Sequence, residues 1–335
     1  MHLERVIPVI DYHTEGHPAR IILGGVGPLP GRTMAERSAY FGEHLDHLRQ
    51  FVLYEPRGHS FMAAMLLTPP IRQEAHMGML ILEIPGMAPM CGHGTIAAVT
   101  AMVETGLVEA QPLTEVLLDT PAGLIRTSAR VEDGRAQDVT VENVPAFVVC
   151  LGAQITVQPY GKLEVDVAYG GDYYAIISAA RVGLDIVPSE KEKIVAAAAA
   201  IRRAISEQLA LVDPVSQKRI RVTSIQFWTH PTSAEATLRN TVAFPPDQVD
   251  RSPCGTGTCA RMATLVARGE LRVGQPFVHE SITGTLFRGG VVGETRIGTV
   301  NAIVPWFTGR AYVIGIHQLM LTPSDPFPKG YLLAG

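Results

Sequence analysis

Two similar segments, each opening on a cysteine, constrain this chain more than any other feature of its sequence. The first runs from Cys91 to Gly106 and reads CGHGTIAAVTAMVETG, and the second runs from Cys254 to Gly269 and reads CGTGTCARMATLVARG. Aligned without a gap, they share the cysteine, two early glycines, a threonine, an alanine, a valine and the closing glycine. A duplication of this kind predicts two halves with one architecture, related by a pseudo-twofold.

Each copy of the repeat predicts a glycine-rich turn that leads into a helix. The alanine-rich middle is typical of a helix packed tightly inside a domain, and the closing glycine fits a helix C-cap. A turn and a strand follow each copy, at residues 122–126 and 283–288. A purely structural turn would not require a cysteine at the same place twice, so the repeat favours chemistry over packing.

A cysteine at a helix N-terminus lies near the positive end of the helix dipole and near free backbone N–H groups. Both effects favour the thiolate, and the same N–H groups can bind a carboxylate. Two such helices pointing at one another would hold one carboxylate and leave a sulfur on each side of the adjacent carbon. Cys91 and Cys254 are therefore predicted to act as two acid/base groups that invert an α-carbon.

Such a reaction also needs an electron sink, because removal of the Cα proton leaves a carbanion. The sequence shows no evident motif for a lysine bound to pyridoxal phosphate, so we expect a cofactor-free enzyme. Fixed hydrogen-bond donors at the carboxylate and the exclusion of water would then have to stabilise the carbanion. Closure of two domains over the substrate would exclude the water.

Composition and charge limit the class of protein and the partners that the chain can have. The 335 residues are 47% hydrophobic and 18% charged, which is typical of a folded protein of two domains. A net charge of -4 without a basic block predicts neither nucleic-acid nor acidic-membrane partners. The apolar stretch Ile194–Ile201 is too short to span a bilayer, and the N-terminus lacks a secretory pattern. We therefore expect a soluble, cytoplasmic protein.

Short β-rich runs bounded by glycine, proline or aspartate indicate many strands and few helices. Strands are predicted at Val6–Ile10, Arg20–Leu23, Gly78–Glu83, Glu115–Asp119, Val139–Val141, Val165–Val167, Tyr173–Ile177, Gln226–Trp228 and Ala302–Val304. Helices are predicted at Arg32–Phe51, at Glu190–Val212 and directly after each repeat cysteine. Because strands and helices do not alternate regularly, an α+β fold is favoured over a doubly wound parallel sheet.

The sequence resembles the proline racemase family, which includes proline racemase, 4-hydroxyproline 2-epimerase and trans-3-hydroxyproline dehydratase. MCGHGT at 90–95 and DRSPCGTGT at 250–258 carry the resemblance, with support at 11–14, 55–59 and 170–175. It implies a diaminopimelate-epimerase-like fold, in which two pseudo-symmetric domains each curl a β-sheet around a central helix. It also implies an active site in the cleft between the domains and, usually, a homodimer.

The predicted domains follow from this resemblance. Residues 1–155 would form the N-terminal domain with Cys91, and residues 156–318 the C-terminal domain with Cys254. Residues 319–335 would return to the first domain.

The resemblance also assigns roles to individual residues, with Cys91 and Cys254 as the catalytic bases. The implied substrate-binding groups are a backbone cradle for the carboxylate at Gly92, His93, Gly255 and Thr256, partners of the secondary ammonium at Asp250 and the His93 side chain, and an aromatic wall at Phe244. No metal is expected, because HExxH and paired CxxC motifs are missing from the sequence.

The choice of reaction within the family depends on particular positions. Both cysteines are present, whereas many dehydratases of the family have serine or threonine at one of them, so inversion is favoured. Phe244 and the GGDYYA stretch at 170–175 resemble proline racemase, which makes proline the favoured substrate. Inversion of 4-hydroxyproline and dehydration of trans-3-hydroxyproline stay open as alternatives.

Seven residues depart from the family pattern, and some of them bear on that choice. A smaller side chain at position 63, where an aromatic residue is usual, would enlarge the pocket and leaves free proline in question as the substrate. The departures are Tyr12, Glu15, His17 and Ala19 in the opening motif, Ala63 and Ala64 in place of an aromatic-glycine pair, and Asp172 where asparagine or serine is common.

Two other classes of function compete with inversion. A cysteine hydrolase would pair one of the cysteines with His59 or His93 as a base, but it leaves the second cysteine unexplained. A non-catalytic amino-acid-binding protein could use both helix starts, but it has no need of paired thiols. Of the remaining cysteines, Cys150 is expected to be buried packing, and Cys259 a helix-buried thiol rather than a disulfide partner of Cys254.

Overall fold

The computed structural model describes residues 3–333, which contain eighteen strands and five α-helices. In chain order these are β1 (Arg5–Thr14), β2 (His17–Ile22), α1 (Met34–His44), α2 (Asp46–Leu53), β3 (Ala63–Thr68), β4 (Met77–Glu83), β5 (Gly86–Ala88), α3 (Gly92–Glu104), β6 (Leu113–Thr120), β7 (Gly123–Glu132), β8 (Arg135–Glu142), β9 (Phe147–Val157), β10 (Gly161–Tyr169), β11 (Tyr173–Ser178), α4 (Lys191–Gln208), β12 (Ser224–Thr229), β13 (Leu238–Phe244), β14 (Gln248–Val249), α5 (Gly255–Ala267), β15 (Phe277–Glu280), β16 (Leu286–Ile297), β17 (Val300–Gly309) and β18 (Ala311–Leu321). Each of the nine predicted strands overlaps one of these strands.

The chain divides into two compact units. Unit 1 contains the described residues up to Val141 together with those from Gly309 onward, and unit 2 contains Glu142–Thr308. The sequence-based limits at residues 155 and 318 stay predictions of the domain bounds.

Unit 1 is a mixed sheet around one buried helix. β1 pairs antiparallel with both β18 and β2, and β2 runs parallel to β3. β3 is antiparallel to β4, which pairs antiparallel with β5 and parallel with β6, and β6 and β7 form an antiparallel pair. Helix α3 packs against β1, β2, β3, β7 and β18, and is buried along its whole length from Gly92 to Val103.

Unit 2 repeats this order of pairings. β10 is antiparallel to β9 and β11, β11 is parallel to β12, and β12 is antiparallel to β13. β13 then pairs antiparallel with β14 and parallel with β15, and β15, β16 and β17 follow as antiparallel neighbours. Helix α5 occupies the place of α3 and packs against β9, β10, β11 and β16. The predicted duplication and the predicted α+β class are confirmed by this shared topology.

The two central helices begin and end alike. Cys91 and Cys254 are the N-cap residues of α3 and α5. At the other end, Gly106 and Gly269 have φ angles of 72° and 74°, in the left-handed region that glycine adopts without cost. The closing glycine of each repeat therefore ends its helix in the way the sequence predicts.

The two other predicted helices have different bounds in the structure. The single helix expected at Arg32–Phe51 is interrupted at Leu45, whose ψ of 14° is not helical, and Asp46 starts α2 by accepting hydrogen bonds from Arg49 and Gln50. The helix expected at Glu190–Val212 begins close to the predicted start but ends at Gln208. Residues 209–212 are extended because Ile220 N donates to Leu211 O in a non-helical pairing. Within residues 3–333, each helix is too short or too polar to cross a bilayer.

Candidate active site

Cys91 lies at the start of the buried helix of unit 1. Its backbone is extended, with φ -145° and ψ 113°, and its side chain is 5% exposed. The Cys91 carbonyl accepts hydrogen bonds from Thr95 N at 2.9 Å and Thr95 Oγ1 at 2.8 Å, which locks the first helical turn. As in other α-helices, the N–H groups of the first turn, here at Gly92 and His93, point out of the N-terminal end.

His93 stands directly against this sulfur. Its Nδ1 is 3.3 Å from Cys91 Sγ, and its carbonyl accepts a hydrogen bond from Thr14 Oγ1 at 2.8 Å. The ring of His17 meets the His93 ring edge-on, with 4.5 Å between centroids. The hairpin of β1 and β2 therefore holds an imidazole at hydrogen-bonding distance from the thiol, where it can stabilise a thiolate or exchange a proton with the sulfur.

Cys254 occupies the equivalent position in unit 2 with a different backbone. Its φ of 63° and ψ of 102° are unusual for a residue with a side chain. Thr258 N donates to Cys254 O at 2.8 Å, and Cys254 N donates to Ser252 Oγ at 3.2 Å. A strained residue held by several surrounding hydrogen bonds is common at functional sites.

Four polar groups surround the Cys254 sulfur. The Tyr174 hydroxyl lies 3.6 Å from Cys254 Sγ and 2.6 Å from Thr256 Oγ1. Burial raises the pKa of the Cys254 thiol well above its usual value and the Asp250 carboxylate raises it further, whereas hydrogen bonds from Tyr174, Gly257 N–H and Thr256 lower it. A Cβ at Gly257 would lie 3.0 Å from the sulfur, so glycine lets the thiol sit this close to the helix.

The glycine pair at 170–171 allows the turn before β11 to pack closely against α5. A Cβ on Gly170 would lie 2.2 Å from Thr256 O and 2.5 Å from Ala260 N, which are backbone atoms of the helix. Gly170 O also accepts a hydrogen bond from Asn143 Nδ2 at 2.6 Å. The turn between β10 and β11 therefore packs against the start of α5 with no room for a side chain.

The predicted binding residues fall into two groups around the two helix starts. Gly92 and His93 follow Cys91, and Gly255 and Thr256 follow Cys254 as the first residues of α5. Asp250 is buried, and its Oδ1 accepts hydrogen bonds from Ser252 N at 2.8 Å and Ser252 Oγ at 2.9 Å. Phe244 is partly buried against the apolar cluster that contains Tyr174 and Cys254.

Three neighbouring side chains of the sheet, those of Tyr174, Ser224 and Phe244, border the Cys254 site. Sequence reasoning did not identify Ser224, the middle one. Ser224 is the parallel register partner of Tyr174, and Ile225 pairs with Ala243, which places Ser224 beside Phe244. Laterally adjacent residues of a sheet share one face, so a serine lies between the two rings. Ser224 Oγ donates to Asp172 Oδ2 at 3.2 Å, and burial raises the pKa of the Asp172 carboxyl.

A second buried network fixes the residue before Cys254. The Pro253 carbonyl accepts hydrogen bonds from Asn240 Nδ2 at 3.0 Å and from Thr258 Oγ1 at 3.1 Å. Thr258 Oγ1 lies 2.8 Å from His279 Nδ1. His279 is fully buried, and its burial together with the charge of Arg261 lowers its pKa to about 3. A single histidine in a strand gave no sequence signal for this role.

Three of the residues that depart from the family pattern have structural partners in unit 1. The Tyr12 hydroxyl donates to Glu104 Oε2 at 3.4 Å, and burial together with that carboxylate raises the Tyr12 pKa. Glu15 Oε1 accepts a hydrogen bond from Arg310 N at 3.0 Å. Ala63 is buried in β3, where it is the register partner of Ala19.

All four cysteines are free thiols. Cys259 is fully buried inside α5, as predicted, whereas Cys150 is only half-buried in β9 and is not the core residue that was expected. Across the described range, three or more histidine, cysteine, aspartate or glutamate side chains do not come together in an arrangement that could hold a metal ion.

A family model described as Proline racemase matches residues 9–332 of the chain. The chain belongs to the proline racemase family. It is an enzyme of the racemase and epimerase type.

Curated relatives in the family cover almost the whole chain. A 4-hydroxyproline 2-epimerase of Streptosporangium roseum is 48% identical, covering 99% of this chain and 100% of the relative. A proline racemase of Clostridioides difficile is 42% identical, with the same two coverages. A trans-3-hydroxy-L-proline dehydratase of Bacillus thuringiensis subsp. konkukian is 39% identical, again covering 99% and 100%.

Solved structures of similar proteins confirm the diaminopimelate-epimerase-like fold. A hydroxyproline epimerase from Agrobacterium vitis with bound trans-4-OH-L-proline has a TM-score of 0.91 at 34% identity, covering 99% of this chain and 97% of that one. A probable proline racemase from Agrobacterium radiobacter K84 has a TM-score of 0.91 at 35% identity, covering 98% and 96%. A phenazine biosynthesis protein of the PhzF family from Bacillus anthracis shares the fold at 13% identity, with a TM-score of 0.60 over 94% and 99%.

Proposed function

We propose that this enzyme inverts the α-carbon of a proline-type imino acid, using Cys91 and Cys254 as its two acid/base groups. The observation that carries the proposal is the recurrence of one arrangement in both units: a cysteine caps a buried helix beside a glycine-flanked first turn. Two such cysteines match the requirement of a reversible inversion for an acid and a base that exchange roles.

In the proposed mechanism, one cysteine thiolate removes the proton from Cα. The electron pair of the broken C–H bond moves into the substrate carboxylate, where helix N–H groups at Gly92, His93, Gly255 and Thr256 stabilise the added charge. The other cysteine, as a thiol, then donates its proton to the opposite face of Cα. Asp250 and His93 are the proposed partners of the secondary ammonium. In the reverse direction, the two thiols exchange their roles.

Trans-4-hydroxy-L-proline is the substrate that we propose to test first. Ser224 supplies a hydroxyl on the face of unit 2 that also carries Tyr174 and Phe244, and a hydroxyl of this kind can pair with a ring hydroxyl. The Asp172 carboxyl accepts a hydrogen bond from Ser224 Oγ. The 48% identity to a 4-hydroxyproline 2-epimerase supports this choice. Proline is the second candidate, because the ring of Phe244 offers an apolar wall.

The decisive experiment follows Cα exchange in deuterated water. The enzyme is incubated with trans-4-hydroxy-L-proline, L-proline or trans-3-hydroxy-L-proline, and deuterium at Cα is followed by NMR together with optical rotation. Inversion is expected to incorporate solvent deuterium with one of the first two substrates. Loss of water from the third substrate, detected as a new absorbance without inversion, would assign the protein to the dehydratases instead.

Serine variants test the roles of the two thiols. Replacing either Cys91 or Cys254 with serine should reduce inversion by several orders of magnitude, because a serine hydroxyl is a far weaker acid than a thiol. The matched control is Cys150→Ser, which removes a thiol from a strand away from both helix starts and should leave the rate unchanged. An undiminished rate in Cys91→Ser would refute the two-base mechanism.

A homodimer and a cytoplasmic location complete the proposal. Apolar side chains of β18 support a second copy of the chain as partner, because Val313, Ile314 and Ile316 are 53%, 59% and 80% exposed. Light scattering coupled to size-exclusion chromatography should give twice the 36.1 kDa chain mass. A monomer at that step would contradict the dimer without affecting the proposed reaction.

A further inference from the structure

Tyr174 brings a phenol to the sulfur of Cys254. The residue lies in β11, its side chain is 4% exposed, and it packs in one apolar cluster with Cys254 and Ala260. Its hydroxyl is 3.6 Å from Cys254 Sγ and 2.6 Å from Thr256 Oγ1. A Cβ on Gly257 would lie 3.3 Å from the Tyr174 ring, so this glycine also leaves room for the phenol.

A phenol hydroxyl has one proton to donate and can also accept a hydrogen bond. When Cys254 is a thiolate, Tyr174 can donate to the sulfur while accepting from the Thr256 hydroxyl. When Cys254 carries a proton, the Tyr174 hydroxyl can turn and donate to Thr256 Oγ1, leaving its oxygen to face the thiol. Only hydroxyl protons reorient between these two states, so each protonation state of the sulfur finds a matching hydrogen bond.

We propose that Tyr174 is a positioning residue that supports both protonation states of Cys254, donating to the thiolate and turning to Thr256 when the sulfur is protonated. This inference rests on the proposed function, in which Cys254 alternates between base and acid. The phenol donor, together with the Gly257 N–H, opposes the Asp250 carboxylate, which disfavours the thiolate of the buried sulfur.

Burial makes the phenol suitable for this task. Desolvation and the neighbouring Cys254 raise the pKa of Tyr174 well above its usual value, so the hydroxyl stays protonated as a donor at working pH. The neighbour of Cys91 is instead the His93 imidazole, 3.3 Å away. The two cysteines therefore have the same place in their helices but different hydrogen-bonding partners.

The test measures the protonation of Cys254 directly. Full-length enzyme is treated with iodoacetamide across a pH series, and the alkylation rate of the Cys254 peptide is followed by mass spectrometry. Tyr174→Phe should move the midpoint for Cys254 upward by about one to two pH units, because a hydrogen bond to a charged group is lost. At a pH below both midpoints, this corresponds to roughly 10- to 100-fold slower alkylation. The midpoint for Cys91 should not move.

Two further variants separate this effect from a general disturbance of the fold. Tyr173→Phe is the matched control, because its hydroxyl pairs with Asp213 rather than with the sulfur, and it should leave the Cys254 midpoint in place. Incorporation of 3,5-difluorotyrosine at position 174 makes the phenol a stronger donor and should move the midpoint downward.

The outcomes distinguish this inference from the proposed function. Opposite shifts in the phenylalanine and difluorotyrosine variants support the role of Tyr174, even if none of the tested imino acids is inverted. An unchanged Cys254 midpoint in both variants, with unchanged melting temperatures, would overturn it. If Tyr174→Phe does not fold, the difluorotyrosine variant alone decides, because it keeps the ring and the hydroxyl.

Discussion

Acid should destabilise unit 2 through one buried residue, His279. The residue is fully buried in β15, and its Nδ1 lies 2.8 Å from Thr258 Oγ1. Because the Thr258 hydroxyl donates to Pro253 O, the imidazole is assigned as the donor at Nδ1 and stays neutral. Burial and the charge of Arg261 lower the His279 pKa from 6.5 to about 3.

The sign and size of the effect follow from this shift. Between pH 6.5 and pH 3, the unfolded chain binds a proton at His279 that the folded chain does not, so stability falls as the pH falls. The slope approaches about 1.4 kcal/mol per pH unit, and the loss between pH 6 and pH 4 is about 2.5 kcal/mol. This is a large share of the total stability of a typical domain.

Tryptophan fluorescence during urea unfolding measures this loss. Both tryptophans of the chain, Trp228 and Trp306, lie in unit 2 and report on its unfolding. His279→Asn is the matched variant, because its side-chain amide can keep the hydrogen bond to Thr258 but does not titrate. Between pH 6 and pH 4, wild type should lose about 2.5 kcal/mol more than the variant. If wild type and His279→Asn lose the same unfolding free energy between pH 6 and pH 4, the assignment of a buried neutral histidine is refuted.

Three other predictions concern the packing and the pocket. Gly170→Ala should lower the free energy of unfolding by more than about 2 kcal/mol in urea and disturb the start of α5. Gly293→Ala, where an added Cβ meets nothing within 4 Å, should have little effect in the same urea-unfolding assay. Ser224→Ala should reduce kcat/KM for 4-hydroxyproline about 10-fold relative to proline, and an equal loss with both substrates would exclude a contact with the ring hydroxyl. Arg20→Met should cost about 3 kcal/mol in denaturant unfolding, because it leaves the buried Asp11 carboxylate without its bidentate partner; a loss below about 1 kcal/mol would contradict this.

Local sequence signals were sufficient wherever the structure depends on neighbouring residues. The starts of α3 and α5, their closing glycines and the strands follow from patterns within about ten residues. The same kind of signal failed at Leu45 and beyond Gln208, because apolar periodicity continues there while the backbone leaves the helix. Helix ends of this kind depend on tertiary contacts that periodicity does not contain.

The residues of the candidate site also fall into those that local sequence predicts and those that only strand pairing brings there. The two cysteines and their glycines belong to one contiguous motif each, so their place at a helix start could be predicted. Ser224 and His279 could not, because each is a single polar residue in a strand, and strand pairing brings it to the Cys254 helix. The glycine pair at 170–171 was visible in the sequence, but its reason, the close approach of Thr256 O, was not.

The sequence by itself determined that two thiols cap two buried helices, since a repeated cysteine, small residues and a closing glycine act through the local backbone. Only the tertiary structure decided what the Cys254 sulfur contacts. His93 lies beside Cys91, whereas Tyr174, 80 positions earlier in the chain, reaches Cys254 through the pairing of β10 and β11 beneath α5. Hydrogen bonding and burial at a sulfur depend on neighbours in space, so two similar motifs acquire different acid/base surroundings.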